Sequence, residues 1–420
     1  MNPDQLLSEL EAKLKVVGIK EIIEPELVRP ARHQSRNRRA ITSLEPELQN
    51  ALEALKHDER LPIVLFKMAN LHLLEGSFAK AIMLYEITLG MDSRQIPAWV
   101  NMGLAYLLSN EYKDAASCFG SALALDNENV VALVHMSVAQ CELGSSDACQ
   151  KHLDLALKVD PNSARARHGK GMYLKRQGIL EGALNWFAKA LEVDEFFVPS
   201  LMELGRVHLE LGQHEKAVDD LKKVLRVDPN QAYAYAILGD VFYELKDYNQ
   251  CLFYYDRAVA IKFDDPALWI RKGDIHKLLK SYKQAHDAYQ KAINADPEHV
   301  EAWARSGENL LWMNDQDVAL EYFNTALALA PDDADVAHKR GLVYYGMQRY
   351  DEALADFDIA FSVEPDNPEH LYHRAFCLEH LERYAEAKRT WQVAKALYDE
   401  EGNDIRSAEC NARMKRLSSS

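Results

Sequence analysis

The sequence predicts an all-α fold built as a linear array of similar helix pairs. Three observations predict it. Small, aromatic and proline residues recur every 34 residues, apolar residues within each period follow two helical patterns around a short break, and the recurrence runs without a slip from Pro62 to Glu401. One helix pair cannot bury both of its apolar sides, so the pairs must stack on one another as a single array.

The segment 334–367 shows the unit most clearly. Helical spacing predicts a first helix at about 334–346 and a second at about 350–363. Pro365 then closes the unit because proline cannot continue a helix. Each copy is therefore expected to contribute two antiparallel helices joined by a short turn.

Three positions of the period keep one type of residue along the chain. The first is small, at Ala69, Gly103, Ser137, Gly171, Gly205, Gly239, Gly273, Gly307, Gly341 and Ala375. The second is also small, at Ala81, Ala115, Cys149, Ala183, Ala217, Cys251, Ala285, Ala319, Ala353 and Ala387. The third is large, at Tyr85, Phe119, Leu153, Phe187, Leu221, Tyr255, Tyr289, Phe323, Phe357 and Trp391. Small residues let two helices approach closely, and the large side chains fill the space between units.

This pattern resembles the tetratricopeptide repeat. The resemblance covers residues 62–401 in ten consecutive copies. It implies a right-handed superhelical α-solenoid of helix–turn–helix repeats in which the first helix of each repeat lines the concave groove. Proteins of this family commonly hold peptides there.

The ends of the chain differ from the repeats. Residues 1–43 are expected to hold an amphipathic helix at 3–17 and then the basic stretch 29–39, and residues 44–61 to form an N-terminal capping helix. Residues 402–420 are expected to form a C-terminal capping helix and a disordered tail at 418–420. In that helix the side chains expected to face the array are Ile405, Ala408, Ala412 and Leu417.

The amino-acid composition excludes several classes of function. The net charge of −16 argues against a general nucleic-acid binder, which would need a basic face. The six cysteines show no paired metal spacing, and we interpret all of them as small thiols in a reducing compartment. The first 15 residues lack the apolar core of a signal peptide, and no run of 18 apolar residues predicts a membrane span. Cytoplasmic location is the resulting expectation.

The sequence carries no motif typical of catalysis. It has neither a glycine-rich phosphate loop nor a G-x-S-x-G nucleophile elbow, so we predict no enzyme activity and no cofactor. His370, His373 and His380 share one predicted helix. We interpret them as a polar surface stripe rather than a metal site.

Family analogy assigns the groove-facing residues. In the first three repeats they form a largely apolar wall of Ile63, Phe66, Leu73, Val100, Leu104, Leu107, Val131, Val134 and Val138, with Asn70 and Asn101 among them. The fourth repeat gives a basic band of Arg165, His168, Lys175 and Arg176. Later repeats place Arg271, Arg305, His338 and Lys339 beside Asp274, Glu301, Glu308 and Asp335, and the last gives Glu369, Tyr372, His373, Phe376 and Glu379.

Three interpretations of the apolar wall remain open. The N-terminal segment could fold back and fill it, a partner helix could lie against it, or the family analogy could assign the wrong residues to the groove. Some family members clamp the C-terminal carboxylate of chaperones, but the basic clamp positions carry Phe66, Val131 and His135 here, so no such clamp is expected. Asn70 and Asn101 are predicted to hold the backbone of an extended peptide instead.

The sequence therefore predicts a non-enzymatic protein-binding adaptor or assembly scaffold that holds a partner helix or extended peptide in its groove. One alternative is nucleic-acid or anionic-surface binding through the stretch 29–39, where Arg29, Arg32, His33, Arg36, Arg38 and Arg39 have no acid between them, together with the basic band. The favoured interpretation of the stretch is a solvated linker or an arm that lies on the protein's own acidic surface. Another alternative is a non-catalytic regulatory subunit of an enzyme complex.

Overall fold

The structure, a computed structural model, describes residues 61–417. These residues form 21 α-helices, and no β-strand occurs among them. The prediction of an all-α fold of repeated helices is confirmed. The expected N-terminal segment 1–43, the cap 44–61 except for Leu61, and the tail 418–420 lie outside the described residues.

The described chain divides into two compact units, with the division between Leu211 and Gly212. The single array of repeats stays a prediction. The helices of unit 1 are α1 (Leu61–Leu74), α2 (Phe78–Met91), α3 (Ile96–Leu108), α4 (Tyr112–Leu125), α5 (Val130–Glu142), α6 (Ser146–Val159), α7 (Ala164–Arg176), α8 (Leu180–Val193) and α9 (Val198–Glu210).

Unit 2 continues the alternation of first and second helices and adds one more at its end. Its helices are α10 (His214–Val227), α11 (Ala232–Glu244), α12 (Tyr248–Ile261), α13 (Pro266–Leu278), α14 (Tyr282–Ala295), α15 (Val300–Trp312), α16 (Gln316–Leu329), α17 (Ala334–Gly346), α18 (Tyr350–Val363), α19 (Pro368–His380), α20 (Tyr384–Glu400) and α21 (Asp404–Arg416). Because α9 and α10 belong to different units, the number of ten repeats stays a prediction.

The helices begin where the sequence supplies starting signals. From α3 to α19, first helices begin at a constant 34-residue step, at Ile96, Val130, Ala164, Val198, Ala232, Pro266, Val300, Ala334 and Pro368. Before α17 the Asp333 carboxylate accepts a hydrogen bond from the Val336 amide at 3.0 Å, and Ser163 caps α7 in the same way. Proline occupies the first turn of α3, α9, α13 and α19, where its missing N–H costs nothing.

The repeating framework forms the core of both units. All ten large framework residues, from Tyr85 to Trp391, are at most 1% exposed. The first helix approaches these large residues closely at the small framework position. A Cβ added to Gly103 would lie 2.6 Å from the Phe119 ring, and one added to Gly171 would lie 2.5 Å from the Phe187 ring. The predicted register is therefore confirmed by packing.

The cysteine prediction is wrong for two residues. Cys141 in the last turn of α5 and Cys149 in α6 form a disulfide, with their Cα atoms 5.3 Å apart. The short turn between the helices brings these two positions together. Cys118, Cys251, Cys377 and Cys410 are buried free thiols, as predicted.

The C-terminal capping helix is present as α21, but it packs with another face than predicted. Ile405 is 83% exposed, and Ala408 and Ala412 also face solvent. Ser407 and Cys410 are buried, and Met414 and Leu417 pack partly buried against the core of the last helices. Only Leu417 lies on the side that the sequence predicted.

Candidate protein-binding site

Much of the predicted apolar wall in unit 1 belongs to the core. Leu73 and Leu104 lie in one buried cluster, Val100 and Val134 lie in two others, and none of the four is more than 4% exposed. These four side chains are buried in core clusters, so the prediction that they face a partner is corrected. Outside the core, Ile63 is exposed, and the half-buried members are Phe66, Leu107, Val131 and Val138.

Asn70 and Asn101 hold each other rather than presenting open amides. The Asn101 Nδ2 atom donates to Asn70 Oδ1 at 3.0 Å, and the Tyr85 hydroxyl donates to the same oxygen at 2.5 Å. Asn70 is 2% exposed and Asn101 is 0% exposed. The predicted contact with a peptide backbone is therefore not available in this structure. The bonds join α1, α2 and α3 instead.

The basic band on α7 is balanced by acids. Lys175 Nζ lies 2.8 Å from Glu203 and 3.3 Å from Glu210, and Arg176 lies 2.6 Å from Glu142. His168 hydrogen-bonds the Ser200 hydroxyl at 3.0 Å. Arg165, the remaining member, is half-buried. The band therefore presents little net positive charge for nucleic acid, which needs several uncompensated cations.

The first-helix faces of unit 2 carry an ordered series of charges, which we call the charge ladder: Asp240, Arg271, Asp274, Arg305, Glu308 and Lys339. Two of its acids are fixed by tyrosines of the core. Tyr255 Oη donates to Asp240 at 2.6 Å, and Tyr289 Oη donates to Asp274 at 2.7 Å. Each acid thus sits at a defined place above its own helix pair.

The cations of the charge ladder lie among these acids. Glu308 on α15 accepts from Lys277 of α13 at 3.0 Å and also pairs with Lys339 of α17. These two ammonium groups lower the pKa of Glu308 despite its burial. Arg305 pairs with Glu301 at 3.2 Å, and the nearby Asp274 and Glu308 carboxylates help to raise its pKa.

Arg271 is the exception in the charge ladder. Its side chain is exposed and forms no ion pair or hydrogen bond with any residue between 61 and 417. Two other exposed side chains, Tyr233 and Tyr243, lie on the neighbouring α11 and are 40% and 47% exposed. This end of the charge ladder therefore offers a cation and aromatic surface to a ligand.

Helix α21 covers the predicted groove residues of the last repeat. The Arg406 guanidinium lies 4.2 Å from the Tyr372 ring centre, and Arg413 lies 4.5 Å from that of Phe376. Arg413 also reaches Glu379 at 3.4 Å. A helix of this chain thus already occupies the face of α19, through arginines over aromatic rings.

The three histidines of α19 do not form a surface stripe. His370 is buried, with Nδ1 2.9 Å from His338 Nδ1 and Nε2 3.1 Å from Glu364. His373 is half-buried with its ring 5.0 Å from that of His338, and only His380 is exposed. No group of three or more metal-ligating side chains within residues 61–417 is arranged to hold an ion.

We expect His135, His168 and His338 to stay neutral in the folded protein at pH 5. Burial lowers their pKa from 6.5 to about 3, about 4 and about 4, respectively. The unfolded chain therefore takes up protons first as the pH falls, and the free energy of unfolding should decrease below about pH 6.5. Imidazole NMR shifts measure the charge directly. Protonation of all three near pH 6.5 would contradict the buried placement.

The sequence reasoning did not single out Asp240 as a site residue. It also missed the hydrogen bonds of Tyr85, Tyr255 and Tyr289, because each tyrosine was assigned to packing alone. A signal exists: the acceptor and the tyrosine are 15 residues apart in Asn70–Tyr85, Asp240–Tyr255 and Asp274–Tyr289. That spacing recurs wherever the large framework residue has a hydroxyl group beneath a polar first-helix residue.

Models of the tetratricopeptide repeat match along much of the sequence. They match residues 106–172, 232–265, 279–342 and 338–397, and a further TPR repeat model matches 205–246. Together these matches cover more than half of the chain. The protein belongs to the tetratricopeptide repeat family.

Individual relatives of this tetratricopeptide repeat protein match only in part. The probable UDP-N-acetylglucosamine–peptide N-acetylglucosaminyltransferase SPINDLY of Hordeum vulgare is 26% identical over 159 residues, covering 36% of this chain and 17% of that protein. Superkiller protein 3 of Schizosaccharomyces pombe is 27% identical over 142 residues, covering 31% of this chain and 10% of that protein. The yeast Tom70 crystal structure is 16% identical and covers 85% of this chain and 89% of its own, with a TM-score of 0.45.

In the described part of the chain, no helix is both long and apolar enough to span a membrane.

Proposed function

We propose that the protein is a non-enzymatic adaptor or assembly scaffold, and that unit 2 binds a partner's helix or extended peptide on the faces of α11, α13, α15 and α17. Tetratricopeptide repeats, which the family models match over more than half of the chain, support a protein-interaction scaffold. The more specific proposal, that a partner binds on these faces of unit 2, rests on the charge ladder. Except for Arg271, its acids and cations are held by tyrosines or by ion pairs, so these side chains lose little entropy when a partner binds.

Helix α21 supports the same mode of binding. Its arginines lie over aromatic rings of α19 and reach the carboxylates beside them, as at Arg413 and Glu379. A partner segment on α11 to α17 would meet similar chemistry, with the exposed Arg271 and Tyr243 at one end. Fixed charges of both signs then set the register and orientation of the bound segment.

A paired capture experiment tests this proposal. The full chain would be immobilised as wild type and as Arg271→Ala with Arg305→Ala, and proteins from the source cells would be captured and cross-linked. The matched control is Lys222→Ala with Lys283→Ala, which removes two exposed cations from the second helices α10 and α14. We expect a partner bound by wild type and control to be lost, by about tenfold or more, with the ladder variant. Equal capture by all three proteins would place binding elsewhere.

Cytoplasmic location is part of the proposal, and imaging of the tagged chain tests it. The cytosol keeps most protein thiols reduced, so a cytoplasmic pool would carry Cys141 and Cys149 mainly as thiols. Thiol labelling of protein taken directly from cells would report their state. A fully oxidised pair would favour a more oxidising compartment.

A further inference from the structure

A cavity of about 380 Å³ opens between α2, α3 and α4 in unit 1. The side chains that decide its chemistry are Glu86, Trp99, Met102, Tyr106, Asp114 and Cys118. Its inner part is apolar, since Met102 and Cys118 are at most 5% exposed. The cavity lies within the range of sizes of ligand-binding clefts and is large enough for one long side chain.

Aromatic rings form part of the lining. The Trp99 indole Nε1 donates to the Ser93 carbonyl at 2.9 Å, which fixes the ring at the side of the cavity. Tyr106 is half-buried on the same helix, two turns further along, and lines the cavity together with side chains of α4. Aromatic rings attract cations, most strongly when the cation is partly removed from water.

Two carboxylates flank the opening. Glu86 on α2 and Asp114 on α4 are exposed, and neither forms an ion pair or hydrogen bond with any residue that the structure describes. Their negative charge reaches inward: burial together with these carboxylates raises the pKa of Tyr106 and of the Cys118 thiol to about 12. The cavity thus combines an apolar floor, aromatic sides and uncompensated negative charge.

We propose that this cavity binds a guanidinium group and that its occupant is an arginine of the chain's own segment Arg29–Arg39. Guanidinium is planar and weakly hydrated, so it can enter a partly apolar cavity, stack on an aromatic ring and still pair with carboxylates. An ammonium group is more strongly hydrated and fits this combination less well.

The positive charge of this segment and the length of chain that joins it to α1 support it as the occupant. The segment carries Arg29, Arg32, Arg36, Arg38 and Arg39 with no acid between them, in a chain of net charge −16. Residues 40–60 join it to α1, and with residues 44–60 in the predicted capping helix such a stretch still spans roughly 40 Å. The cavity belongs to the helices that follow α1, so it is within reach. Tethering also gives the segment a millimolar effective concentration near the site.

Limited trypsin digestion of the full chain tests the proposal, because trypsin cleaves after arginine. The cavity variant is Glu86→Gln with Asp114→Asn. The control is Glu195→Gln with Asp147→Asn, which removes the same charge from exposed positions in unit 1. Cleavage within residues 29–39, followed by mass spectrometry, is expected to be about fivefold or more faster in the cavity variant than in wild type and control. Equal rates in all three proteins would overturn the proposal.

A second variant tests the guanidinium group itself. Replacing the five arginines with lysine keeps the charge and the trypsin sites. We expect this variant to lose protection to the same extent as the cavity variant. If the lysine variant were as well protected from trypsin as wild type, charge attraction alone would explain the binding. That result would overturn the assignment of a guanidinium group. All variants alter exposed or N-terminal side chains, and far-UV circular dichroism would confirm equal folding.

Discussion

Replacing Gly239 with leucine is expected to lower the free energy of unfolding by about 3 kcal/mol or more. An added Cβ at Gly239 would already lie 2.6 Å from Cδ2 and Cε2 of the Tyr255 ring, where no real contact is found. The ring cannot turn away freely, because it is 1% exposed and its hydroxyl donates to Asp240. The helices α11 and α12 must therefore separate, which exposes their shared core. Ala285→Leu should act similarly in the next pair, where Ala285 is 0% exposed.

Gly346→Leu provides the matched control, because a Cβ there meets nothing within 4 Å. Urea unfolding followed by circular dichroism would compare the variants with wild type, and hydrogen exchange would localise the loss to α11 and α12. The variant at Gly239 should unfold at clearly lower urea, and the variant at Gly346 close to wild type. Similar midpoints for Gly239→Leu and wild type would mean that the helices do not approach as closely as the 34-residue register requires.

The core was predictable because the same contact is repeated along the chain. One glycine facing one ring is a weak signal, but Gly103 with Phe119 and Gly239 with Tyr255 obey the same spacing as the other pairs. Repetition thus identified the buried framework with no structural information. Pairing of Cys141 with Cys149 was not predicted, since it depends on the local geometry of a single turn.

Groove-facing residues were harder to predict because their exposure depends on the neighbouring repeat. Leu104 occupies the same repeat position as Asp240, yet Leu104 is buried among apolar neighbours, whereas Asp240 remains partly exposed and accepts from Tyr255. The prediction of which face of α21 packs against the array was wrong for a related reason. Apolar spacing pointed to Ile405, but arginine stems and guanidinium groups cover the aromatic rings of α19 instead. The pattern of hydrophobic residues in the sequence does not reveal contacts between arginines and aromatic rings.

Leu104→Glu is expected to destabilise unit 1 by about 4 kcal/mol or more. Leu104 is 1% exposed and packs in the cluster that contains Ala69 and Leu73. Glutamate there must either bury a carboxylate without a partner or expose the cluster to water. Both outcomes cost more than the loss of the leucine contacts alone.

Ile63→Glu makes the same chemical change at a wall position that is 49% exposed, and it should alter the free energy of unfolding by less than about 1 kcal/mol. Thermal and urea unfolding of the two variants then separate the core from the surface of this face. A well-folded Leu104→Glu protein, as stable as Ile63→Glu, would mean that the wall faces solvent as the sequence predicted. It would also restore unit 1 as a binding surface for an apolar helix. Strong destabilisation at Leu104 alone would leave the charge ladder of unit 2 as the favoured site.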